Sequence, residues 1–259
     1  MPDDAWSPEQ YERFKRERSQ PFHDLLGLVR PKPGMRAVDL GCGTGELTRQ
    51  LHEHLRASET TGLDSSDNML GTAARFAGEG LRFLKSDIRD FAAEGELDLV
   101  FSNAALHWVP DHEALFARLT TMLAAEGQLA VQLPEMEDHA AHIVAADVAT
   151  RRPFRDELGG FSHRVEVHAP EWYAALLHRL GYREQHVRLQ VYPHILPSRE
   201  AVVDWYRGSL LTAYQARLSA EGFERFVEVY RTELMSRLPD DRPFFFGFKR
   251  ILLWGQRHA

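Results

Sequence analysis

The feature that most constrains the fold is a glycine-rich turn that follows a short apolar stretch, residues 35–40, which is predicted to be a β-strand. Gly41, Gly43 and Gly45 stand at alternate positions in this turn, and glycine lets the backbone adopt positive φ and approach a ligand closely. Three leucines then repeat at the helical interval of four residues: Leu47, Leu51 and Leu55. A strand that enters a helix through such a turn is typical of Rossmann-like α/β folds.

Predicted strands and helices alternate through the first half of the chain. Further strands are expected at 60–64, 81–86, 97–103 and 128–133, with helices at 66–77 and 111–123. Alternation of this kind predicts a parallel sheet with right-handed crossovers. After Pro134 the pattern becomes mainly helical, with helices expected at 138–151, 170–180 and 198–238 and two late strands at 187–192 and 244–254.

Polar residues occur where four of the predicted strands end. Asp39 stands just before the glycine turn, Asp64 ends the second strand, Asp87 and Ile88 follow the third, and Asn103 ends the fourth. Ligands of open α/β sheets bind outside the carboxyl ends of the strands, so these residues are expected at one edge. Asp64 can accept hydrogen bonds from ribose hydroxyls, and Asp87 from an adenine amino group while Ile88 packs on the ring.

The identity of the ligand follows from the glycine spacing and from charge. A dinucleotide fingerprint, G-x-G-x-x-G, needs glycine at position 46, where this chain has Glu46. Asp39 would repel a pyrophosphate, whereas it suits a ligand that carries an ammonium and a sulfonium. These features predict S-adenosylmethionine as the cofactor and disfavour an NAD-dependent oxidoreductase. Asn103 is expected beside the reactive methyl group.

The sequence VDLGCGTG at 38–45 resembles motif I of class I S-adenosylmethionine-dependent methyltransferases. Other segments are similar to the trans-aconitate 2-methyltransferase family, namely 6–21, 61–69, 86–89, 102–112, 129–134 and 196–205. The resemblance implies a Rossmann-like, seven-stranded, mostly parallel sheet with helices on both faces and a last strand that runs antiparallel. It also implies an N-terminal helical cap and a helical insertion before the last strand.

The resemblance further implies four regions and a set of cofactor ligands. The regions are an N-terminal helical cap (1–33), a cofactor-binding core (34–196), a helical lid or substrate region (197–240) and a C-terminal strand that completes the core sheet (241–259). The expected cofactor-binding residues are Asp39, Gly41, Cys42, Gly43, Asp64, Ser65, Met69, Asp87, Ile88 and Asn103.

The family methylates a carboxylate of a small polyanionic acid, so O-methylation of trans-aconitate or a related polycarboxylic acid is the expected reaction. The N-terminal helix around Tyr11 and Arg18 is expected to close over the active site. The expected substrate residues are Tyr11, Arg18, His107, Trp108 and Arg207. Two positions depart from the family pattern, Thr212 in place of an arginine and His107 in place of a glutamine, and they leave the acceptor open.

Catalysis of this reaction needs no general base when the acceptor is a carboxylate, since that group is ionised near neutral pH. Alignment of the acceptor with the cofactor and exclusion of water would then account for the rate acceleration. An anionic acceptor calls for basic pocket residues, and the candidates are Arg18, Arg207, Lys249 and Arg250. A phenol, amine or alcohol would instead need a base, for which His107 is the best placed. The catalytic residue is therefore unassigned, with His107 and Arg18 as candidates.

Composition limits the possible partners. Net charge is −7, which disfavours nucleic acid and anionic membranes as main partners, and no stretch is apolar enough to span a membrane. A single cysteine, Cys42, and the lack of a signal-peptide pattern favour the cytoplasm. No spacing supports a metal site. Two alternatives stay open: a methyltransferase for another small or carrier-bound acceptor, and a non-catalytic cofactor-binding protein.

Overall fold

The structure is a computed structural model that describes residues 15–93, 95–163 and 167–258, with side chains from residue 19 onwards. The described residues divide into two compact units. The first, called the sheet unit, contains residues 15–135, 167–190 and 249–258. The second, called the helical unit, contains residues 136–163 and 191–248.

A seven-stranded sheet has the strand order β3-β2-β1-β4-β5-β7-β6. Its strands are β1 (Arg36–Leu40), β2 (Glu59–Asp64), β3 (Leu81–Lys85), β4 (Leu97–Asn103), β5 (Leu123–Pro134), β6 (Tyr182–Leu196) and β7 (Phe244–Arg257). The pairs from β3 through β5 are parallel, and β7 pairs antiparallel with β5. This arrangement confirms the predicted fold class, including the antiparallel last strand.

The first described α-helix precedes β1, and the others lie between strands along the chain. In chain order they are Lys15–Leu26, Glu46–Leu55, Asp67–Ala73, His112–Thr121, Ala140–Ala149, Phe154–Glu157, Pro170–Arg179, Ala201–Arg207, Thr212–Gln215 and Ala220–Arg237. Short 3₁₀ turns occur at Ala74–Phe76 and Leu106–Trp108. Within the described residues, no helix is long and apolar enough to cross a membrane.

The apolar pattern of the sequence explains the core of the sheet unit. Leu51 and Leu55 on the helix Glu46–Leu55 are fully buried, as the leucine spacing predicts. The helix Lys15–Leu26 packs through Phe22, whose ring lies edge-on to Phe101 of β4 at a centroid distance of 5.4 Å. Burial of a side chain such as Phe101 stabilises the fold by about 1.5–3 kcal/mol. The turn before Glu46 is thereby held between a buried strand and a buried helix face.

The helical stretch predicted at 198–238 consists of three separate helices in the structure. The first ends at Arg207, where Gly208 follows as the C-cap. The last begins after Ser219, whose hydroxyl accepts a hydrogen bond from the backbone N–H of Gly222 at 3.0 Å. Glycine is a poor helix former and serine is a strong N-cap, so local chemistry overrides the continuous apolar pattern.

Candidate functional site

The glycine turn connects the carboxyl end of β1 to the helix Glu46–Leu55 at the centre of the sheet. The backbone N–H groups of Gly41 and Cys42 donate to the Leu63 carbonyl at 2.7 and 2.9 Å. Gly41 has φ of +80°, and a Cβ there would lie 2.2 Å from the Cβ of Ala105. Only glycine fits this position, which brings the end of β1 against the loop that follows β4.

Asp64 lies beside this turn at the end of β2. Its Oδ2 accepts from the backbone N–H of Gly43 at 2.9 Å, and its Oδ1 accepts from the N–H of Ser66 at 2.9 Å. Gly43 has φ of +54°, and nothing lies within 4 Å of the place where its Cβ would be. The two backbone donors fix the orientation of the carboxylate at the end of β2.

Asp39 is buried beneath the turn, with 4% of its surface exposed. The hydroxyl of Thr48 donates to its Oδ2 at 2.6 Å. Burial raises the pKa of Asp39 to about 7, and the hydrogen bond from Thr48 and the negative charge of Asp64 have smaller, opposing effects on it. A cation that binds nearby would stabilise the ionised form, so this carboxyl group is prepared to respond to a positively charged ligand.

Asn103 closes the site at the end of β4. Its side-chain oxygen Oδ1 is buried and has no hydrogen-bond partner among the residues that the structure describes. The next residue, Ala104, has φ of +62° and donates its N–H to the Gln132 carbonyl at 3.0 Å. A left-handed backbone is unfavourable for alanine, and this corner fixes where the strand ends. A buried acceptor without a donor predicts that a ligand supplies one.

The remaining cofactor candidates lie on the turns after β2 and β3. Ser65 is exposed, whereas Met69 is buried beneath the N-cap that Ser66 forms. The carboxylate of Asp87 is held by the guanidinium and backbone N–H of Arg89, which lower its pKa. Ile88 is half-buried. Asp87 keeps lone pairs for an amino group, although Arg89 occupies part of its hydrogen-bonding capacity.

We call Asp39, Gly41, Gly43, Asp64 and Asn103 the cofactor edge. Cys42 lies within it as a buried side chain, and burial raises the pKa of its thiol far above the ordinary value. Such a thiol stays protonated, so Cys42 serves as a small apolar group and not as a nucleophile. In the part of the chain that the structure describes, no group of three potential metal ligands comes together.

Comparison with known proteins identifies the family. A family model described as a methyltransferase domain matches residues 38–131. The trans-aconitate 2-methyltransferase of Deinococcus radiodurans is 41% identical and aligns with 98% of each chain. That of Acidovorax ebreus is 34% identical, over 97% of this chain and 98% of its own.

The chain belongs to the trans-aconitate 2-methyltransferase family.

Solved structures agree on the fold. A putative methyltransferase from Bacillus halodurans superposes with a TM-score of 0.60 over 93% of this chain and 100% of its own, at 14% identity. The comparisons confirm the prediction of a methyltransferase of the S-adenosylmethionine-dependent, Rossmann-like class.

His107 and Trp108 form a tilted ring pair, with centroids 4.9 Å apart, on the 3₁₀ turn Leu106–Trp108. Both side chains are half-buried in the sheet unit, on the loop that follows Asn103. This loop therefore presents two predicted substrate residues directly after a predicted cofactor residue. Tyr11 and the side chain of Arg18 lie outside the described residues.

Arg207 lies in the helical unit and pairs with Glu224. Its guanidinium also covers the ring of Phe223 at 5.4 Å. Thr212, which stands where the family resemblance implies an arginine, is buried, and its hydroxyl donates to the Ser209 carbonyl at 2.5 Å. The side chain at 212 is thus satisfied within its own turn.

One contributor to the site was missed from the sequence. His112 is fully buried, and its ring nitrogens lie 3.1 Å from the Leu106 carbonyl and 2.6 Å from the hydroxyl of Tyr173. Tyr173 also accepts from the backbone N–H of His168 at 3.3 Å, so its own proton is available for His112. This chain of hydrogen bonds anchors the loop that carries His107. The sequence signal was weak, because Tyr173 lies 61 residues away.

Proposed function

We propose that the protein transfers a methyl group from S-adenosylmethionine to a carboxylate of trans-aconitate. The observation that carries this proposal is the similarity along almost the whole chain to relatives named trans-aconitate 2-methyltransferase, at 41% identity in one case. A related polycarboxylic acid is the nearest alternative acceptor.

The chemistry of the cofactor edge supports S-adenosylmethionine. Asn103 Oδ1 is a buried acceptor that an ammonium group would satisfy, and Asp39 offers negative charge that a sulfonium or ammonium would stabilise. Asp64 is oriented to accept from ribose hydroxyls. The proposed cofactor-binding residues remain Asp39, Gly41, Cys42, Gly43, Asp64, Ser65, Met69, Asp87, Ile88 and Asn103.

The protein's part in this reaction is mainly one of alignment. When bound, S-adenosylmethionine supplies an electrophilic methyl group attached to a positively charged sulfur. The acceptor carboxylate is ionised near neutral pH, so no residue of the chain has to remove a proton from it. With the cofactor bound, transfer would form one oxygen–carbon bond as one carbon–sulfur bond breaks, and it would leave a methyl ester and a neutral thioether. The site needs only to align the acceptor and exclude water.

We assign acceptor binding to Tyr11, Arg18, His107, Trp108 and Arg207, and to the predicted cap (1–33) and helical region (197–240). His107 and Trp108 support this assignment because they follow Asn103 on an anchored loop. The variant Arg18→Met tests whether Arg18 contributes to acceptor binding. A KM for trans-aconitate that rises at least tenfold supports a contact between Arg18 and a carboxylate, and an unchanged KM removes Arg18 from the site.

The direct test of function is release of S-adenosylhomocysteine in the presence of a panel of acceptors. The panel contains trans-aconitate, its cis isomer, other small polycarboxylic acids, a phenol and an amine. Release that depends on trans-aconitate supports the proposal. Release only with a phenol or amine would assign a different acceptor, for which His107 is the candidate base. Binding of cofactor without release on any acceptor would favour a non-catalytic protein.

Net charge bears on the kind of acceptor, and cysteine content bears on the cellular compartment. We propose a free small molecule as acceptor, since a net charge of −7 opposes nucleic acid and a carrier-bound acid would need a basic surface around the site. We propose the cytoplasm as the compartment, because the single cysteine leaves no disulfide within the chain.

A further inference from the structure

The loop that follows β4 carries proposed residues of both ligands. Asn103, the last residue of that strand, is a proposed cofactor residue, and His107 and Trp108 are proposed acceptor residues on the 3₁₀ turn Leu106–Trp108. A displacement of about 1 Å at a reacting group can cost about a hundredfold in rate. A side chain that holds this turn in place therefore bears on how the acceptor meets the cofactor.

The carbonyl of Leu106 is the point at which the turn is held. It accepts from the backbone N–H of Val109 at 3.0 Å, which closes the turn, and it lies 3.1 Å from Nε2 of His112. His112 is the first residue of the helix His112–Thr121, so its ring ties the turn to the start of that helix. Leu106 and His112 are both fully buried, and water does not compete for these bonds.

The tautomer of His112 follows from its two partners. A carbonyl oxygen only accepts, so Nε2 of His112 carries a proton and donates to Leu106. In the neutral ring Nδ1 then carries no proton, and it accepts from the hydroxyl of Tyr173 at 2.6 Å. That hydroxyl also accepts from the backbone N–H of His168 at 3.3 Å. Tyr173 thus determines which nitrogen of His112 faces the turn.

Aromatic rings enclose these hydrogen bonds. The rings of Phe116 and Tyr173 have centroids 5.9 and 5.8 Å from that of His112. An apolar cluster of the same shape would avoid the cost of burying polar groups, and replacing both partners of a buried bond by apolar groups is often nearly neutral for stability. What the polar side chains add is a fixed position for one backbone carbonyl, that of Leu106.

We propose that His112 and Tyr173 are positioning residues for methyl transfer, which hold the turn Leu106–Trp108 so that the acceptor lies in line with the cofactor. The inference rests on the proposed function. Both residues act through the Leu106 carbonyl and need not touch either ligand. Cofactor binding is independent of them, since Asp64 at the cofactor edge is held by its own hydrogen bonds.

The chain offers a matched control on the same helix. The hydroxyl of Tyr182 lies 2.9 Å from that of Thr120, near the end of the helix His112–Thr121 and about 12 Å along it from His112. Tyr182 is 2% exposed and Tyr173 is 0% exposed. Phenylalanine at either position therefore removes one hydroxyl from an equally buried place. A role in stability alone predicts the same behaviour for both variants.

The variants form two pairs. The first is Tyr173→Phe with its control Tyr182→Phe. The second is His112→Gln with His112→Asn, because the amide of Gln reaches the place of Nε2 and can donate to Leu106, whereas the shorter amide of Asn reaches only the place of Nδ1. Thermal unfolding checks that each variant is folded, and the tyrosine pair decides if the His112 variants do not fold.

Two readouts are measured on purified full-length protein. The first is kcat and KM for trans-aconitate, expressed per site counted by titration with S-adenosylhomocysteine, whose Kd is recorded at the same time. The second needs no turnover: it is hydrogen exchange of the backbone amides of residues 104–109, among them the N–H of Val109 that closes the turn.

We expect Tyr173→Phe to speed exchange in residues 104–109 and to lower kcat/KM about tenfold, mainly through kcat, as loss of one buried hydrogen bond implies. The Kd of S-adenosylhomocysteine should stay within twofold of wild type. Tyr182→Phe should match wild type in both readouts, even if its thermal midpoint falls as far. His112→Gln should retain more activity than His112→Asn.

Failure of the proposed function is seen separately, as wild-type protein that does not turn over trans-aconitate. The exchange readout then decides alone, and any other acceptor that is turned over replaces trans-aconitate in the first readout. The positioning role is overturned by folded Tyr173→Phe that keeps either readout within twofold of wild type. It is also overturned by Tyr182→Phe that changes both readouts as much as Tyr173→Phe does.

Discussion

The cofactor edge and the hydrogen-bonded pair of Gln132 and Arg250 are both polar groups at the ends of neighbouring strands, but they are assembled differently. Gly43 and Asp64, which are joined by a hydrogen bond across the cofactor edge, are 21 residues apart; Gly43 lies in the turn after β1, and Asp64 is the last residue of β2. Gln132 and Arg250 are 118 residues apart, and they meet only because β7 enters the sheet antiparallel to β5. The proposed cofactor edge is therefore encoded in short strand–turn segments, whereas the contact between Gln132 and Arg250 depends on the assembled sheet.

The largest expected effect is on the glycine turn. Gly41→Ala should lower the free energy of unfolding by about 3 kcal/mol, because a left-handed alanine costs about 1–2 kcal/mol and the clash with Ala105 adds a similar amount. Gly34→Ala is the control, since Gly34 also has positive φ but has nothing within 4 Å of a Cβ. Denaturant unfolding of both variants measures the difference. Equal losses would show that the approach of Gly41 to Ala105 is unimportant.

Asp64→Asn tests whether the cofactor edge binds through its carboxylate. The substitution keeps the shape of the side chain but removes charge from hydrogen bonds that are worth about 1.5–3 kcal/mol each. We expect the Kd of S-adenosylhomocysteine to rise about tenfold to a hundredfold in calorimetry. The thermal midpoint should also fall, because the amide NH₂ group cannot accept from one of the two backbone N–H groups that the carboxylate binds. An unchanged Kd would remove Asp64 from the cofactor site.

The pH dependence of cofactor binding tests Asp39. Its pKa is raised to about 7, so the group is neutral below that pH and ionised above it, and a positively charged ligand binds the ionised form better. Affinity for S-adenosylmethionine should improve on the order of tenfold between pH 5.5 and 7, below the range where an α-amino group titrates. In Asp39→Asn the profile should be flat over that interval.

The raised pKa of Asp39 also affects stability in the absence of ligand. Here the effect runs in the opposite direction, because a rise in pH weakens folding. A carboxyl group whose pKa is higher in the folded state favours folding at low pH, and this contribution is lost as pH rises through about 7. Unfolding of wild type and Asp39→Asn at pH 5.5 and 8 checks the sign. A wild-type advantage that grows with pH would contradict the raised pKa.

The smallest effect is expected at His107. A carboxylate acceptor needs no base, so His107→Gln, which restores the glutamine that the family resemblance implies, should keep kcat within about threefold. Trp108→Phe is a companion variant that keeps an aromatic side chain on the same turn. A loss in kcat of a hundredfold or more in His107→Gln would instead indicate general base catalysis.

The sequence correctly predicted those features that a short stretch of residues determines by itself. The strand ends at Asp39, Asp64 and Asn103 could be located because a strand followed by a polar turn is a short-range signal. The division of the helical stretch 198–238 at Gly208 could not be located, because the apolar pattern continues through it.

The pairing of Gln132 with Arg250 could not be derived from spacing. Arg250 was one of four candidate cations, and only the register of β5 and β7 distinguishes it from Lys249, its neighbour in the chain. The hydrogen bond between His112 and Tyr173 could not be predicted for the same reason. Contacts between distant segments follow from topology and not from periodicity.

Identification of the reaction product is the most direct test of the proposed methyl transfer to trans-aconitate. The protein is incubated with trans-aconitate and S-adenosylmethionine labelled in the methyl group, and the products are resolved by mass spectrometry and NMR. We expect a labelled monomethyl ester of trans-aconitate, formed in equal amount with S-adenosylhomocysteine. Turnover that places the label on a carbon, nitrogen or phenolic oxygen of another acceptor, with trans-aconitate left unmodified, would contradict it.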